Sequence, residues 1–106
     1  MKKYNKRIYV DIDDTICYYE DGNKGDYSKA LPYKDRIEQI NKLYEEGNHI
    51  TYWTARGTQT GIFWLDVTIK QFEKWGVKYH AIRDCKPVYD MYIDDKSFNA
   101  ESFFKK

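Results

Sequence analysis

The sequence predicts an α/β domain built on a parallel sheet, and three observations carry that reading. Short apolar runs rich in β-formers alternate with longer segments of helical period. Gly47 and Gly76 stand where the two main helical patterns stop, as helix-ending glycines do. Each apolar run also leads into a residue able to do chemistry: Asp11 and Asp13, Thr54, Lys86, then Asp94 and Asp95. Strands that alternate with helices favour parallel pairing through crossovers. The expected architecture is therefore three-layered and Rossmann-like, a parallel sheet with helices on both faces.

The elements follow in order. A first strand is expected over 7–12, where Arg7-Ile8-Tyr9-Val10 supplies the β-forming run. Residues 17–32 carry Gly22, Gly25 and Pro32 among polar residues and read as an irregular loop or small hairpin. A helix over 33–46 places Ile37, Ile40, Leu43 and Tyr44 on one face. His49 to Trp53 form the second strand, with Trp53 expected in the core. Thr54 to Thr58 form a loop opening a helix over 61–75, which buries Ile62, Leu65, Ile69 and Phe72. A short third strand covers 78–82, and a fourth covers 89–93 and ends at Asp94-Asp95. A terminal helix over 97–104 is anchored by Phe98, Phe103 and Phe104.

Bulk properties narrow the function classes. The 106 residues suit a single domain, residues 1–106, with a real core and little room for a second lobe. The net charge of +1 gives no broad electrostatic case for nucleic acid or an anionic membrane. No apolar run approaches a membrane span, and Met1-Lys2-Lys3 lacks the apolar segment of a signal peptide. A cytoplasmic location is the expectation. Cys17 and Cys85 are the only cysteines, too few for a disulfide framework or a zinc site, and both read as reduced packing residues near the acidic motif and Lys86.

The strand ends carry the chemistry. In a parallel sheet the carboxyl ends of the strands share one edge, and open α/β sheets keep their ligands there. Asp11 and Asp13 point to the same side of an extended chain, and two carboxylates so close repel unless a cation or proton intervenes. With oxygen-only ligands the natural cation is Mg²⁺. A Lys86 ammonium clamps phosphate as a point charge. Thr54 can donate its hydroxyl to a phosphate oxygen, and the amides from Ala55 to Gly57, expected at a helix N-terminus, can donate as well. Asp is an established nucleophile toward phosphorus, and a carboxylate two residues on can protonate the leaving oxygen and then activate water.

The ordered set Val10-Asp11-Ile12-Asp13-Asp14-Thr15, Thr54, Lys86 and Asp94-Asp95 resembles the haloacid dehalogenase superfamily of phosphohydrolases. Thr54-Ala55-Arg56, Lys86-Pro87 and Ile93-Asp94-Asp95-Lys96 are similar to the small phosphatases associated with capsule and surface-polysaccharide synthesis. The resemblance implies Asp11 as the nucleophile that forms an aspartyl-phosphate and ligates Mg²⁺. It implies Asp13 as general acid/base, offering its backbone carbonyl to the metal. Thr54 and Lys86 would hold the phosphoryl group, Asp94 would ligate Mg²⁺, and Asp95 would support or join the metal shell. Strands one and four would be neighbours, with Asp11 beside Asp94. Two departures stand out: Asp14 occupies a position where many members have Gly, and the chain has no cap domain. The open pocket then needs a large substrate or a second subunit of a homo-oligomer to close it.

Other residues could serve the same site. Arg56 contacts substrate or phosphate, or else starts a helix in solvent. Tyr18, Tyr19 and Tyr27 could stack on a sugar ring or base. Arg83 and Asp84 read as a local ion pair, and His49 and His80 as surface or packing residues. Trp75 reads as a packing residue, Asp66 as surface, and Lys2-Lys3 and Lys105-Lys106 as solvated termini.

The expected function is an Mg²⁺-dependent phosphomonoesterase acting on a sugar phosphate or similar small phosphorylated metabolite. One alternative is a phospho-receiver signalling module, which also combines acidic residues, Thr and Lys on a parallel sheet. Its acceptor Asp ends a middle strand, however, where this chain has Thr54. Another alternative is a nucleic-acid end phosphatase, against which the near-zero charge speaks.

Overall fold

The computed structural model describes residues 3–58 and 64–105. Along the chain run β1 (Arg7–Val10), β2 (Cys17–Tyr18), a 3-10 turn (Tyr27–Lys29), β3 (Leu31–Pro32) and α1 (Lys34–Glu45). After them come β4 (His49–Trp53), α2 (Leu65–Trp75), β5 (Ala81–Arg83) and α3 (Ala100–Phe104). The main sheet has the order β1-β4-β5 and is parallel throughout, with Ile8 opposite Ile50 and Tyr52 opposite Ile82. The 17–32 segment is the expected small hairpin, in which β2 and β3 pair antiparallel.

Side-chain alternation sets the layers. Val10, Ile50 and Tyr52 point into the core with Ile12, Ile16, Ile37, Ile40 and Phe72. Phe72 of α2 meets the Tyr52 ring edge-on at 4.9 Å, and Ile37 and Ile40 bring in α1. The two helices also touch each other: Asn41 of α1 donates to the Gly76 carbonyl and accepts from the Lys78 amide. Both helices therefore cover the same face of the sheet. The opposite face carries Tyr9, which is 57% exposed, beside Trp53. The expected helical layer on each face is thus corrected to one helical layer among the described residues. Only two crossover helices lie within this short sheet, and their apolar stripes converge on one core.

Several boundaries also move. The third strand forms at Ala81–Arg83 rather than 78–82, and the expected fourth strand is not formed: residues 89–93 hold no strand. Ile93, 89% exposed, marks how little of that run is buried. Asp90, within the run, is a poor strand former. Helix α2 begins at Leu65; the expected start at 61 and the core residue Ile62 lie outside the described residues. Leu65 and Ile69 are half-buried, and Trp64 meets Tyr27 edge-on. Of the three terminal phenylalanines, Phe104 packs on the core while Phe98 and Phe103 remain exposed. Helix α3 is tied instead by the Arg36–Glu101 ion pair and by the Arg36 guanidinium over the Phe104 ring. Trp53 lies half-buried on the open face, not in the core, because position 53 is out of phase with Ile50 and Tyr52. Trp75 packs against the core and Asp66 is exposed, as expected. Lys3 and Lys105 are exposed; Lys2 and Lys106 lie outside the described residues.

At the amino end of the sheet, His49 and His80 stack with ring centroids 4.5 Å apart, and Tyr44 stacks on His80. The Ile50 amide donates to His80 Nδ1. These histidines are packing residues far along the strands from the acidic motif.

Candidate active site

The carboxyl ends of the three strands assemble most of the predicted residues. The chain leaves β1 at Val10 and turns at once, because the Thr15 and Ile16 amides both donate back to the Ile12 carbonyl. This turn buries Ile12 and Ile16 and leaves Asp11 and Asp13 at the sheet edge. Asp14 adopts φ +61°. That left-handed conformation explains why glycine suits the position, and Asp is among the few other residues that tolerate it.

The second and third motifs are built onto each other. The Thr54 amide donates to the Arg83 carbonyl, and the Lys86 amide donates to the Thr54 carbonyl. Thr58 Oγ1 donates to the Lys86 carbonyl, and Trp53 Nε1 donates to that of Asp84. Lys86 is thereby fixed beside the end of the middle strand. Its Nζ lies 3.2 Å from Asp11 Oδ2. Cys85, immediately before it, has φ +61° and is exposed. Asp11 thus faces a cation, and the Ile12 amide donates to its Oδ1. Burial nevertheless holds the Asp11 pKa above the ordinary carboxylate value; the Lys86 charge offsets this only in part.

Arg56 is neither a solvated helix-start residue nor a free substrate contact. It is buried, and it grips Asp13 with Nε to Oδ2 at 3.0 Å and Nη2 to Oδ1 at 2.8 Å. Its Nη1 donates to Thr68 Oγ1 and Gln71 Oε1 of α2. Gln71 in turn donates to the Tyr27 carbonyl, and the Tyr27 ring lies 5.0 Å from the guanidinium. The Tyr19 hydroxyl and the Cys17 thiol also donate to Asp13 Oδ1. Burial, with Asp13 alongside, pushes the Cys17 thiol and the Tyr19 phenol well above their ordinary pKa values. Burial works against the Arg56 charge, but Asp13's hydrogen bonds and charge outweigh it and raise its pKa. Thr68 and Gln71 are polar residues three apart on this helix, a spacing that puts them on one face but does not name their partner.

Other expectations are corrected. Ala55 does not stand at a helix N-terminus, since α2 starts ten residues later; Ala55 to Thr58 form a turn closed by the Thr58 amide on the Ala55 carbonyl. Thr54 is buried, and its Oγ1 accepts the Arg56 amide at 3.0 Å, which leaves the hydroxyl proton free to donate. Tyr18 packs against Tyr33. Arg83 and Asp84 do not form an ion pair with each other; their carbonyls brace Thr54 and Trp53.

Asp94 and Asp95 do not join the acidic motif. Both are exposed; Asp94 accepts the Lys96 amide and Asp95 pairs with Lys96 Nζ. Without a fourth strand nothing carries them to the edge of β1. Among the described residues no three His, Cys, Asp or Glu side chains come together as a metal-binding group. The two carboxylates of the motif are already matched by Lys86 and Arg56. The residues as arranged therefore do not fit the full Mg²⁺ ligand set that the resemblance implies.

No protein-family model matches the chain, and no curated protein matches it. A solved structure does match: the crystal structure of an MCSG target from Vibrio cholerae, 30% identical, with a TM-score of 0.81. The match covers 93% of this chain and 87% of that one. This chain belongs to the same family as that protein. Among the described residues no helix is long and apolar enough to cross a membrane.

Proposed function

We propose that the chain is a phosphomonoesterase of the haloacid dehalogenase type, with Asp11 as nucleophile. The observation that carries this reading is the Lys86 ammonium 3.2 Å from the Asp11 carboxylate at the carboxyl edge of a parallel sheet, with the Thr54 hydroxyl at the end of the adjoining strand. A phosphate monoester entering there would meet an ammonium, a free hydroxyl proton and a carboxylate oxygen. Asp11 attacks phosphorus, the P–O bond to the alcohol breaks, and the leaving oxygen takes a proton from a water molecule at the open edge of the site. Water then attacks the aspartyl-phosphate, releasing phosphate and restoring Asp11. Lys86 balances the oxygens of the transferring group, and Thr54 donates to one of them.

Asp13 supports the second half of this cycle best. Its carboxylate accepts from Arg56 and Tyr19 and stands at the same sheet edge as Asp11, where it can accept a hydrogen bond from an attacking water. Arg56 and Tyr19 fix its direction. The raised pKa of Asp11 suits a nucleophile, because a more basic carboxylate is the stronger one.

A phospho-receiver is disfavoured by the sheet order. The middle strand is β4, and it ends in Thr54 rather than in an acceptor Asp.

The test is hydrolysis of p-nitrophenyl phosphate by the whole chain, with added Mg²⁺ and with EDTA, against Asp11→Asn and Lys86→Met. The proposal expects multiple turnovers that both substitutions abolish. Equal turnover by Asp11→Asn would refute it. The EDTA arm decides separately whether a divalent cation takes part.

A further inference from the structure

We infer that the open face of the sheet beside Lys86 is an aromatic platform for the ring of a phosphorylated ligand whose phosphate sits at Asp11, Thr54 and Lys86. The inference rests on the phosphoryl-transfer reading of that site and names its substrate class: phosphomonoesters whose organic part presents a flat or apolar ring face.

Two aromatic pairs meet at the single ammonium of Lys86. On one side Tyr9 and Trp53 lie edge to face at 6.1 Å. On the other, Tyr89 and Tyr92 lie 5.3 Å apart. Lys86 Nζ stands 5.9 Å from the Trp53 ring centre and 5.5 Å from that of Tyr89, while reaching Asp11 at 3.2 Å. A phosphate oxygen held by that ammonium leaves the rest of the ester beside both rings.

These rings are not core residues. Tyr9 is 57% exposed, Tyr92 52% and Tyr89 45%. Both α1 and α2 lie on the other face, and Tyr9 is 57% exposed among the described residues. The Trp53 indole is held in place by its hydrogen bond to the Asp84 carbonyl. An exposed aromatic surface, anchored at Trp53, next to a phosphate-binding cation is a combination that suits a ring-bearing phosphate: the charge takes the phosphate and the π-face takes the ring. The hairpin tyrosines do not compete for this role. Tyr19 is bonded to Asp13, Tyr18 packs on Tyr33, and Tyr27 lies against Arg56 and Trp64. A nucleobase and the C–H face of a sugar share this chemistry, and the experiment separates them.

The experiment is calorimetric titration of full-length Asp11→Asn protein, which removes turnover and a charge that repels phosphate. The ligands are a purine nucleoside monophosphate, a hexose phosphate, glycerol phosphate and inorganic phosphate. The same titrations are run with Tyr89→Ala added, a change at an exposed residue outside any helix or strand. The platform predicts that one or both ring-bearing esters bind about tenfold or more tighter than glycerol phosphate, within the range of one base–aromatic stack. It predicts that Tyr89→Ala weakens only those ring-bearing ligands, by about tenfold, and leaves inorganic phosphate unchanged. Preference for the nucleotide assigns the platform to a base, and preference for the hexose phosphate assigns it to a sugar. Equal binding of ringed and ringless esters, or a uniform loss in Tyr89→Ala, would overturn the platform while leaving the phosphate site intact. Failure of inorganic phosphate and of every ester to bind would overturn the phosphate site itself, and the platform with it.

Discussion

Arg56 holds Asp13 through one edge of its guanidinium, Nε to Oδ2 at 3.0 Å and Nη2 to Oδ1 at 2.8 Å, while Nη1 binds Thr68 and Gln71. The acidic loop after β1, helix α2 and the hairpin carrying Tyr19 and Tyr27 are joined at this one side chain. A buried pair of this kind is costly to break from one side, since the remaining charge has no partner. Arg56→Ala is expected to destabilise the chain by about 3–5 kcal/mol. Arg56→Lys keeps the charge but loses the two-point grip, and belongs between the two. Urea unfolding of the three proteins checks the order. An Arg56→Ala protein as stable as the parent would show that the pair contributes nothing.

Tyr52 presents the opposite case. Its ring is fully buried against Phe72, yet its hydroxyl has no hydrogen-bond partner among the described residues. Burial without a partner pushes the phenol's pKa well up. Tyr52→Phe removes an unsatisfied polar atom with almost no change of shape and is expected to stabilise by about 1 kcal/mol. A loss of stability in Tyr52→Phe on thermal unfolding would mean that the hydroxyl has a partner.

Asp14 tests the backbone. Its φ of +61° is strained for a β-branched residue and free for glycine. Asp14→Gly should leave stability nearly unchanged, and Asp14→Val should cost about 1–2 kcal/mol. Equal stabilities by chemical denaturation would place residue 14 in an ordinary conformation.

Asp11 makes stability depend on pH in a defined direction. Its folded pKa lies above 3.8, chiefly through burial, so the folded state holds this proton more tightly than the unfolded chain. The advantage of the parent over Asp11→Asn should be greatest in acid. It should decline as the pH rises through 3.8 to the raised folded value, and then level off. Melting temperatures of both proteins from acid to neutral pH measure it. A parent advantage that grows over that window would reverse the sign of the shift. Catalysis should show the same group: activity should fall on the acid side above the ordinary carboxylate range.

The parts of this site that were legible in the sequence are those fixed by strand ends. Ile8 to Val10, His49 to Trp53 and Ala81 to Arg83 all lie in the parallel sheet, so Asp11, Thr54 and Lys86 come together as topology requires. The Asp13–Arg56 pair was not legible, because it depends on how far α2 stands from β4, and residue spacing along the chain does not encode that distance. Thr68 and Gln71 mark it only in retrospect. The 89–93 run misled because a short apolar segment looks alike as a strand or as an exposed stretch. Trp53 was misplaced for a related reason: alternation assigns it to a face, and which face stays open depends on where the helices land.

Acid-quenched mass spectrometry of the protein during turnover of a phosphomonoester is the most direct measurement of the central claim. Nucleophilic Asp11 predicts one transient phosphoryl group on the peptide that contains Asp11, absent from the Asp11→Asn protein. Steady turnover with no such phosphopeptide, or with the phosphoryl group on another residue, would contradict it.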